Sequence, residues 1–448
     1  MATPTTPQAQ AAHTGPDWLD SWTPEDPDNW DSGRAWKTLW VTTFNLTLAF
    51  VVWFLVSALA PKLNNIGYDL TKAQLYWLVA MPGLAGGTLR LIWTFLPPIL
   101  GTRKLVTLTS GLFLLPAIGW GFAVQDPTTP YGVLLFLAAL AGLGGGAFSG
   151  FMPSTSYFFP KAKQGTALGI QAGIGNFGVS LVQFVTPWVV GLSIMGASQQ
   201  FVDTQKGIDK EVWYQNAGFF WIPFIVLGVV LAWFLLRSVP VQARGVREQF
   251  DIFSNKHTWL MTVLYVITFG TFSGLAAQFG LLIKNLFGGD VFGASGVDAV
   301  KYAFYGALIG SAARVLAGPI ADRLGGARVT LVATLGIAVA AAFTATTVNP
   351  DSADQFNAFF WGMIVIFFFT GVGNASTFKQ MPMIFAPRQA GSVIGWTAAI
   401  AAYGPFLFGA VLASVAPAIF FSGLSGVALV GSVICWHFYA RPGAEMPS

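Results

Sequence analysis

Residues 141–180 read AGLGGGAFSGFMPSTSYFFPKAKQGTALGIQAGIGNFGVS. Two apolar, glycine-rich stretches flank a short basic link at Lys161 and Lys163, and neither stretch contains Asp, Glu, Lys or Arg. A helix that crosses a bilayer needs about 20 mostly apolar residues, so the passage predicts two spans joined by a tight, positively charged turn. Glycines stand at Gly142, Gly144, Gly145, Gly146 and Gly150 in the first stretch, and at Gly165, Gly169, Gly173, Gly175 and Gly178 in the second. The spacing of Gly165, Gly169 and Gly173 is small-xxx-small, which predicts backbones in contact. Pure packing explains such residues. Smooth contacts that let helices slide and rock against one another explain them as well, and the two readings are compatible. A phosphate-cradling loop does not fit, because the glycines lie inside spans and no Gly-Lys-Ser/Thr follows.

The rest of the chain repeats the pattern. Of 448 residues, 54% are hydrophobic and 9% charged, with mean hydropathy +0.62. Soluble domains carry about a quarter charged residues, so most of this surface faces something other than water. Twelve apolar segments emerge, near 36–60, 74–96, 103–124, 131–152, 166–191, 217–237, 258–283, 300–320, 328–348, 357–380, 391–413 and 416–439. Residues 1–35 form an acidic tail. Its six acids, absence of basic residues before Arg34 and lack of an apolar core exclude a cleaved signal peptide, and Trp18, Trp22 and Trp30 can order part of it. With the N-terminus inside, fifteen Lys and Arg fall in inner segments and six in outer ones, which predicts both termini in the cytoplasm. The net charge of +4 is set by this placement and does not point to nucleic acid. The single cysteine, Cys435, excludes an intrachain disulfide and reads as a packing residue.

The two halves of the chain resemble each other. GGTLR ends at Arg90 in the second segment and GSAAR at Arg314 in the eighth. GLGGG begins at Gly142 and GVGN at Gly371. FFPKAKQGTALG leads out of the fourth segment as FAPRQAGSVIG leads out of the tenth. Two six-helix halves, 36–237 and 258–439, with a linker at 238–257 and a tail at 440–448, are the architecture of the major facilitator type: an all-α membrane protein of twelve transmembrane helices. GPIADRLGGAR at 318–328 resembles the loop motif of that superfamily and contains Asp322 and Arg323. The corresponding LPPILGTRK lacks the acid.

Twenty-one of the twenty-three basic residues sit in tails, loops or segment ends. Arg90 and Arg314 do not. Each lies inside an apolar segment, where a charge costs roughly 2.5–3.5 kcal/mol on insertion scales, and no acid falls inside any segment. An anion between them would relieve the cost, and a guanidinium suits a planar oxyanion because its fork donates two parallel hydrogen bonds. Snorkelling toward the inner interface is the competing account. Asn176 is a polar side chain in mid-span that suits either a helix–helix hydrogen bond or a ligand. Tyr265, Phe269 and Phe148 suit either core packing or the wall of an anion site.

These motifs resemble a known family. The stretch 141–180 is similar to the first signature of the NarK-type nitrate/nitrite porters of the major facilitator superfamily. GVGNASTFKQMPMIFAPRQAGSVIGWTAAIAAYGPFLFG, 371–409, is similar to the second, and WTPEDPDNW resembles the tryptophan- and acid-rich lead-in. The resemblance implies nitrate held between Arg90 and Arg314, with Asn176, Tyr265, Phe269 and Phe148 lining the site. It implies conformational roles for Gly144, Gly145, Gly173, Gly175, Gly371, Gly373, Asn374, Asp322 and Arg323. The sequence departs from the family pattern at Ala147, Gln171 and Ala375.

The expected function is transport of nitrate across the cytoplasmic (inner) membrane, most simply as nitrate/nitrite antiport by a monomer. No carboxylate or histidine falls inside a span to carry protons; His13, His257 and His437 lie in the tail or at segment ends. Nitrate/proton symport on the same scaffold is the alternative, and a non-transporting anion sensor a remote one. The spans hold no Ser/His/Asp set, no metal cluster and no nucleotide loop, so neither an enzyme nor a metal or other cofactor is implied. The expected partners are nitrate, nitrite and the lipid bilayer.

Overall fold

The computed structural model describes residues 17–19, 22–28, 30–240 and 250–448. Residues 1–16, 20, 21 and 29 of the tail, and residues 241–249 of the linker, lie outside the described residues. Among the described residues, eleven helices are long and apolar enough to cross a membrane, and a bent pair makes a twelfth span. Span 1 is Ser32–Trp53 continued, after a bend of 49°, by Leu55–Ile66. Spans 2 to 6 are Lys72–Trp93, Pro97–Ala123, Tyr131–Ser156, Lys161–Val189 and Asn216–Leu235. Span 7 runs from Lys256 to Phe287 and widens into a π-helical turn at Val266–Gly270. Spans 8 to 10 are Ala303–Leu324, Gly326–Ala345 and Phe356–Ile384. Span 11 is Pro387–Ala401 followed by Gly404–Leu412, and span 12 is Pro417–Cys435 with a π-helical end at Trp436–Ala440.

Two features depart from a simple run of straight spans. The connection after span 5 carries an antiparallel hairpin, β1 Gln199–Asp203 and β2 Ile208–Val212, where the hydropathy pattern predicts only a loop. Span 3 is broken at Gly101, at φ 71° and ψ 162°, so Pro97–Leu100 is a separate turn in the link from span 2 and the continuous helix starts at Thr102, beside the expected residue 103. The hairpin marks one end of the bundle, termed here the hairpin face. The opposite end holds the links with Arg103, Lys161, Lys163 and Arg323, and is termed the basic face.

The surface inverts the rule for soluble proteins. Trp188, Phe234, Leu316 and Val339 are each at least two-thirds exposed, as befits side chains that face lipid. Inside, the glycines set helix spacing. A Cβ on Gly142 would lie 2.7 Å from the Gly86 nitrogen, and one on Gly145 only 2.8 Å from the Gly86 Cα. Spans 2 and 4 therefore touch backbone to backbone. Gly144 meets the Ala49 carbonyl in span 1, Gly175 meets Leu46, and Gly371 meets the Gly310 carbonyl in span 8.

One expectation is corrected. Gly173 touches Val315 of span 8, but nothing lies within 4 Å of a Cβ on Gly165 or Gly169. These three share one helical face, so spans 5 and 8 meet at Gly173 and part toward the basic face. Gly318 in span 8 and Gly391 in span 11 are open in the same way. Toward the hairpin face the contacts stay tight. Gln183 donates to the Ala276 carbonyl at 2.8 Å, Lys62 pairs with Asp298 at 3.0 Å, and Gly409 lies against Ala80 and Gln278. The bundle is closed at one end and splayed at the other.

Candidate functional site

Arg90 sits near the end of span 2 and is fully buried. The glycine contact between spans 2 and 4 brings the Gly145 carbonyl to it, and Nε donates there at 2.9 Å. Nη1 donates to the Ala398 carbonyl of span 11 at 2.8 Å. Nη2 is buried with no partner. Three rings surround the guanidinium carbon, Trp53 at 5.2 Å, Phe148 at 4.5 Å and Phe269 at 5.4 Å. Trp53 is itself pinned, because its indole donates to the Pro82 carbonyl at 2.8 Å.

Arg314 is 6% exposed, and its Nη1 is also buried without a partner. Its guanidinium carbon lies 5.2 Å from the Phe378 ring. Both arginines are inside the protein rather than snorkelling to an edge. Among the described residues neither pairs with a carboxylate; the ion pairs made by acids lie elsewhere.

An aromatic wall links the two. The Phe269 ring touches Arg90 and stacks on Tyr265, centroids 5.4 Å apart and planes 5° from parallel. Tyr265 packs on Phe378 at 4.9 Å, and Phe378 touches Arg314. The Tyr265 hydroxyl is close enough to both guanidiniums to feel their charge, yet it makes no hydrogen bond of normal geometry and is buried. The π-helical turn between Tyr265 and Phe269 inserts an extra residue into the helical repeat. Such turns recur at functional sites because they re-aim side chains at little cost to the helix.

Two asparagines complete the interior. Asn176 and Asn374 are fully buried, and both polar atoms of each amide lack partners. Asn176 is three residues beyond Gly173 and shares its face toward span 8. Asn374 is three residues beyond Gly371, whose added Cβ would meet Gly310 and Ala313 just before Arg314. Buried unpartnered polar groups of this kind cost about 1–3 kcal/mol each, and native proteins carry few of them.

The structure thus brings Arg90, Phe148, Phe269, Tyr265 and Arg314 into one connected set, with Asn176 and Asn374 on the faces of spans 5 and 10 whose glycines pack against span 8. Gly145 supplies a carbonyl to that set, Gly371 holds span 10 against span 8, and Gly373 meets Thr268 in the π-helical turn. Gly144 and Gly175 pack against span 1, away from the arginines. Asp322 and Arg323 are exposed on the basic face, where Asp322 pairs with Lys379 at 2.6 Å. Sequence reasoning missed Phe378, Trp53 and the Ala398 carbonyl. Phe378 had a signal, since it falls one turn after Asn374. The other two depend on packing between segments far apart in the chain. Among the described residues no group of His, Cys, Asp or Glu could hold a metal ion.

The chain and its fold match those of known proteins. The family model described as Major Facilitator Superfamily matches residues 38–410. The chain is 59% identical over 439 residues to the "Probable nitrate/nitrite antiporter NarK2" of Thermus thermophilus, covering 96% of this chain and 98% of that one. It is 37% identical over 374 residues to the "Nitrate/nitrite transporter NarU" of Salmonella typhimurium, covering 82% and 78%. The fold superposes on the inward open conformation of the xylose transporter XylE from E. coli with a TM-score of 0.64 at 13% identity, covering 90% and 96%. Multi-pass architecture, duplicated landmarks and these similarities converge, and the chain belongs to the NarK-type nitrate/nitrite porter family of the Major Facilitator Superfamily.

Proposed function

We propose that this protein exchanges nitrate for nitrite across the cytoplasmic membrane by alternating access, with the anion held between Arg90 and Arg314. The observation that carries the reading is the pair of buried guanidiniums without a carboxylate partner. Arg90 Nη2 and Arg314 Nη1 are donors with nothing to donate to. A planar oxyanion accepts from both and neutralises two like charges that no acid among the described residues balances. The Tyr265 hydroxyl and the Asn176 and Asn374 amides supply further donors, and the Tyr265, Phe269, Phe148 and Phe378 rings exclude water. The names of the relatives support the cargo.

In this reading spans 1–6 and 7–12 are two bodies that rock about the site, joined by residues 238–257. The basic face is cytoplasmic in this reading, with both termini on that side, a topology that the placement of Lys and Arg supports. The parting of spans 5 and 8 toward that face then corresponds to a carrier leaning open to the cytoplasm. The empty carrier resists reorientation for two reasons. Its uncompensated charges would have to move through a dry interior, and the Arg90–Ala398 hydrogen bond ties span 2 to span 11. Anion binding removes the first barrier, which makes exchange obligatory. The test is counterflow with the purified monomer. Proteoliposomes loaded with nitrite should take up nitrate, and empty ones should not. Robust uptake into empty vesicles under a pH gradient would select proton symport and reject exchange.

A further inference from the structure

We propose that Asp17 is a positioning residue for transport. From the N-terminal tail it supplies the carboxylate that the loop between spans 2 and 3 lacks, and so holds the basic ends of spans 1–6 as one body. The proposal rests on the transport reading for its purpose but on independent contacts for its geometry.

The loops after spans 2 and 8 are structural counterparts. Gly101 has φ 71° and ψ 162°, and Gly325 has φ 89° and ψ 137°. Both occupy a region that favours glycine. Three residues before Gly325 stands Asp322, paired with Lys379. Three residues before Gly101 stands Pro98, which carries no charge. In its place Asp17 reaches in from the tail, pairing with Arg103 and, at 3.7 Å, with Lys104. The Asp17 and Arg103 side chains are only 16% and 12% exposed, so this pair is less screened than a surface pair, whose median worth is near zero. The Arg103 guanidinium also stacks 4.2 Å from the Trp233 ring of span 6.

The neighbouring backbone fixes Asp17 in place. The Asp17 carbonyl accepts from the Ser238 amide, and the Leu19 amide donates to the Ser238 carbonyl, both at 2.8 Å. The Ser238 hydroxyl accepts from the Arg103 amide at 3.2 Å. Gly101 is required by crowding as well as by φ: a Cβ there would lie 2.4 Å from that hydroxyl and 2.8 Å from the Trp18 ring. Further along the tail, Trp22 and Trp30 donate to the Tyr157 and Phe158 carbonyls at 3.1 and 2.9 Å. Glu25 accepts from the Lys161 amide that opens span 5, at 2.9 Å. Every one of these anchors falls within residues 30–240. They join the 2–3 link, the 4–5 link and the end of span 6, and the helices so joined include those that hold Arg90, Gly145 and Asn176. A strap confined to one six-helix body leaves rocking free while keeping that body stiff.

The test uses the full chain and four variants: Asp17→Asn, Asp17→Glu, Arg103→Gln and the double variant Asp17→Asn/Arg103→Gln. Hydrogen exchange of the amides at residues 100–105 reads the strap without reference to cargo. Nitrate affinity and nitrate/nitrite exchange rate read its purpose. Asp17→Asn should raise amide exchange there by about tenfold. It should slow turnover several-fold with nitrate affinity unchanged, and Asp17→Glu should restore both. The double variant should be no worse than either single one, because the two residues act as a pair. Arg103→Gln removes the charge while keeping a planar polar side chain on the Trp233 side, and with the double variant it serves if Asp17→Asn does not fold. Unchanged amide exchange, wild-type turnover, a loss residing in affinity, or additive losses in the double variant would overturn the proposal. If the wild-type protein moves no nitrate, the transport reading fails while the hydrogen-exchange result still decides the strap.

Discussion

Tyr265 and Phe269 lie face to face, ring centroids 5.4 Å apart and planes within 5° of parallel, across a π-helical turn that places one ring against Arg90 and the other beside Arg314. The stack is the physical link between the two buried charges. It also leaves a buried hydroxyl beside Arg314 that makes no hydrogen bond of normal geometry.

That hydroxyl yields a prediction in which stability and function move in opposite directions. Tyr265→Phe removes a buried hydroxyl that makes no hydrogen bond of normal geometry, so thermal stability should hold or rise by about 1 kcal/mol. Nitrate affinity should fall about three- to tenfold, the worth of one net hydrogen bond. Calorimetry and a binding titration on the same preparation check both. A loss of stability would mean the hydroxyl has a structural partner instead.

For Arg90, charge alone should not suffice. Its Nε and Nη1 are committed to the Gly145 and Ala398 carbonyls, and the remaining fork faces the site. Lysine in Arg90→Lys cannot serve two carbonyls and an anion with the same planar geometry. Affinity should fall about ten- to a hundredfold, as expected when charge-assisted hydrogen bonds worth about 1.5–3 kcal/mol are lost. Arg314→Ala should fold as well as the wild type, because it deletes a buried charge that no acid balances, and should show no counterflow. Wild-type nitrate affinity in Arg90→Lys would argue against bidentate recognition.

Asn374→Leu tests whether the second asparagine serves the protein or its cargo. Both amide atoms are unpartnered in a fully buried position. An apolar side chain of similar size should raise stability by about 1–3 kcal/mol, seen as a higher melting temperature in detergent. Exchange of nitrate for nitrite should drop sharply. Full activity in this variant would remove Asn374 from the site.

Two glycines of similar appearance in the sequence should respond differently to alanine. In Gly145→Ala the new methyl would meet the Trp53 ring at 2.7 Å and the Gly86 backbone at 2.8 Å. Spans 2 and 4 must then separate, at a cost of about 1–3 kcal/mol, and Arg90 loses its carbonyl partner. Gly169→Ala meets nothing within 4 Å and should stabilise span 5 by about 0.5–1 kcal/mol. Melting temperatures and transport rates of the two variants, measured side by side, decide the matter.

Much of this protein is readable along the chain. Twelve apolar segments, the duplicated landmarks around Arg90 and Arg314, and the absence of acids from those segments are all one-dimensional facts. Hydropathy needs no knowledge of neighbours, because a lipid-facing helix must be apolar whatever it packs against. Tyr265 and Phe269 could be placed one turn apart, but not stacked, since a π-helical turn leaves no mark on hydropathy. Gly165, Gly169 and Gly173 look alike in sequence, yet only Gly173 touches another helix.

The tertiary structure alone decided who meets whom. Arg90 finds its carbonyls 55 and 308 residues away, and Asp17 finds Arg103 across 86. The tail, the Trp53 anchor and the parting of spans 5 and 8 have the same origin. Composition and periodicity dictate which faces are apolar and which charges are out of place. Only the packed bundle, where backbones close on glycine and every buried donor must find an acceptor, determines which partners those charges obtain and which donors are left for a ligand.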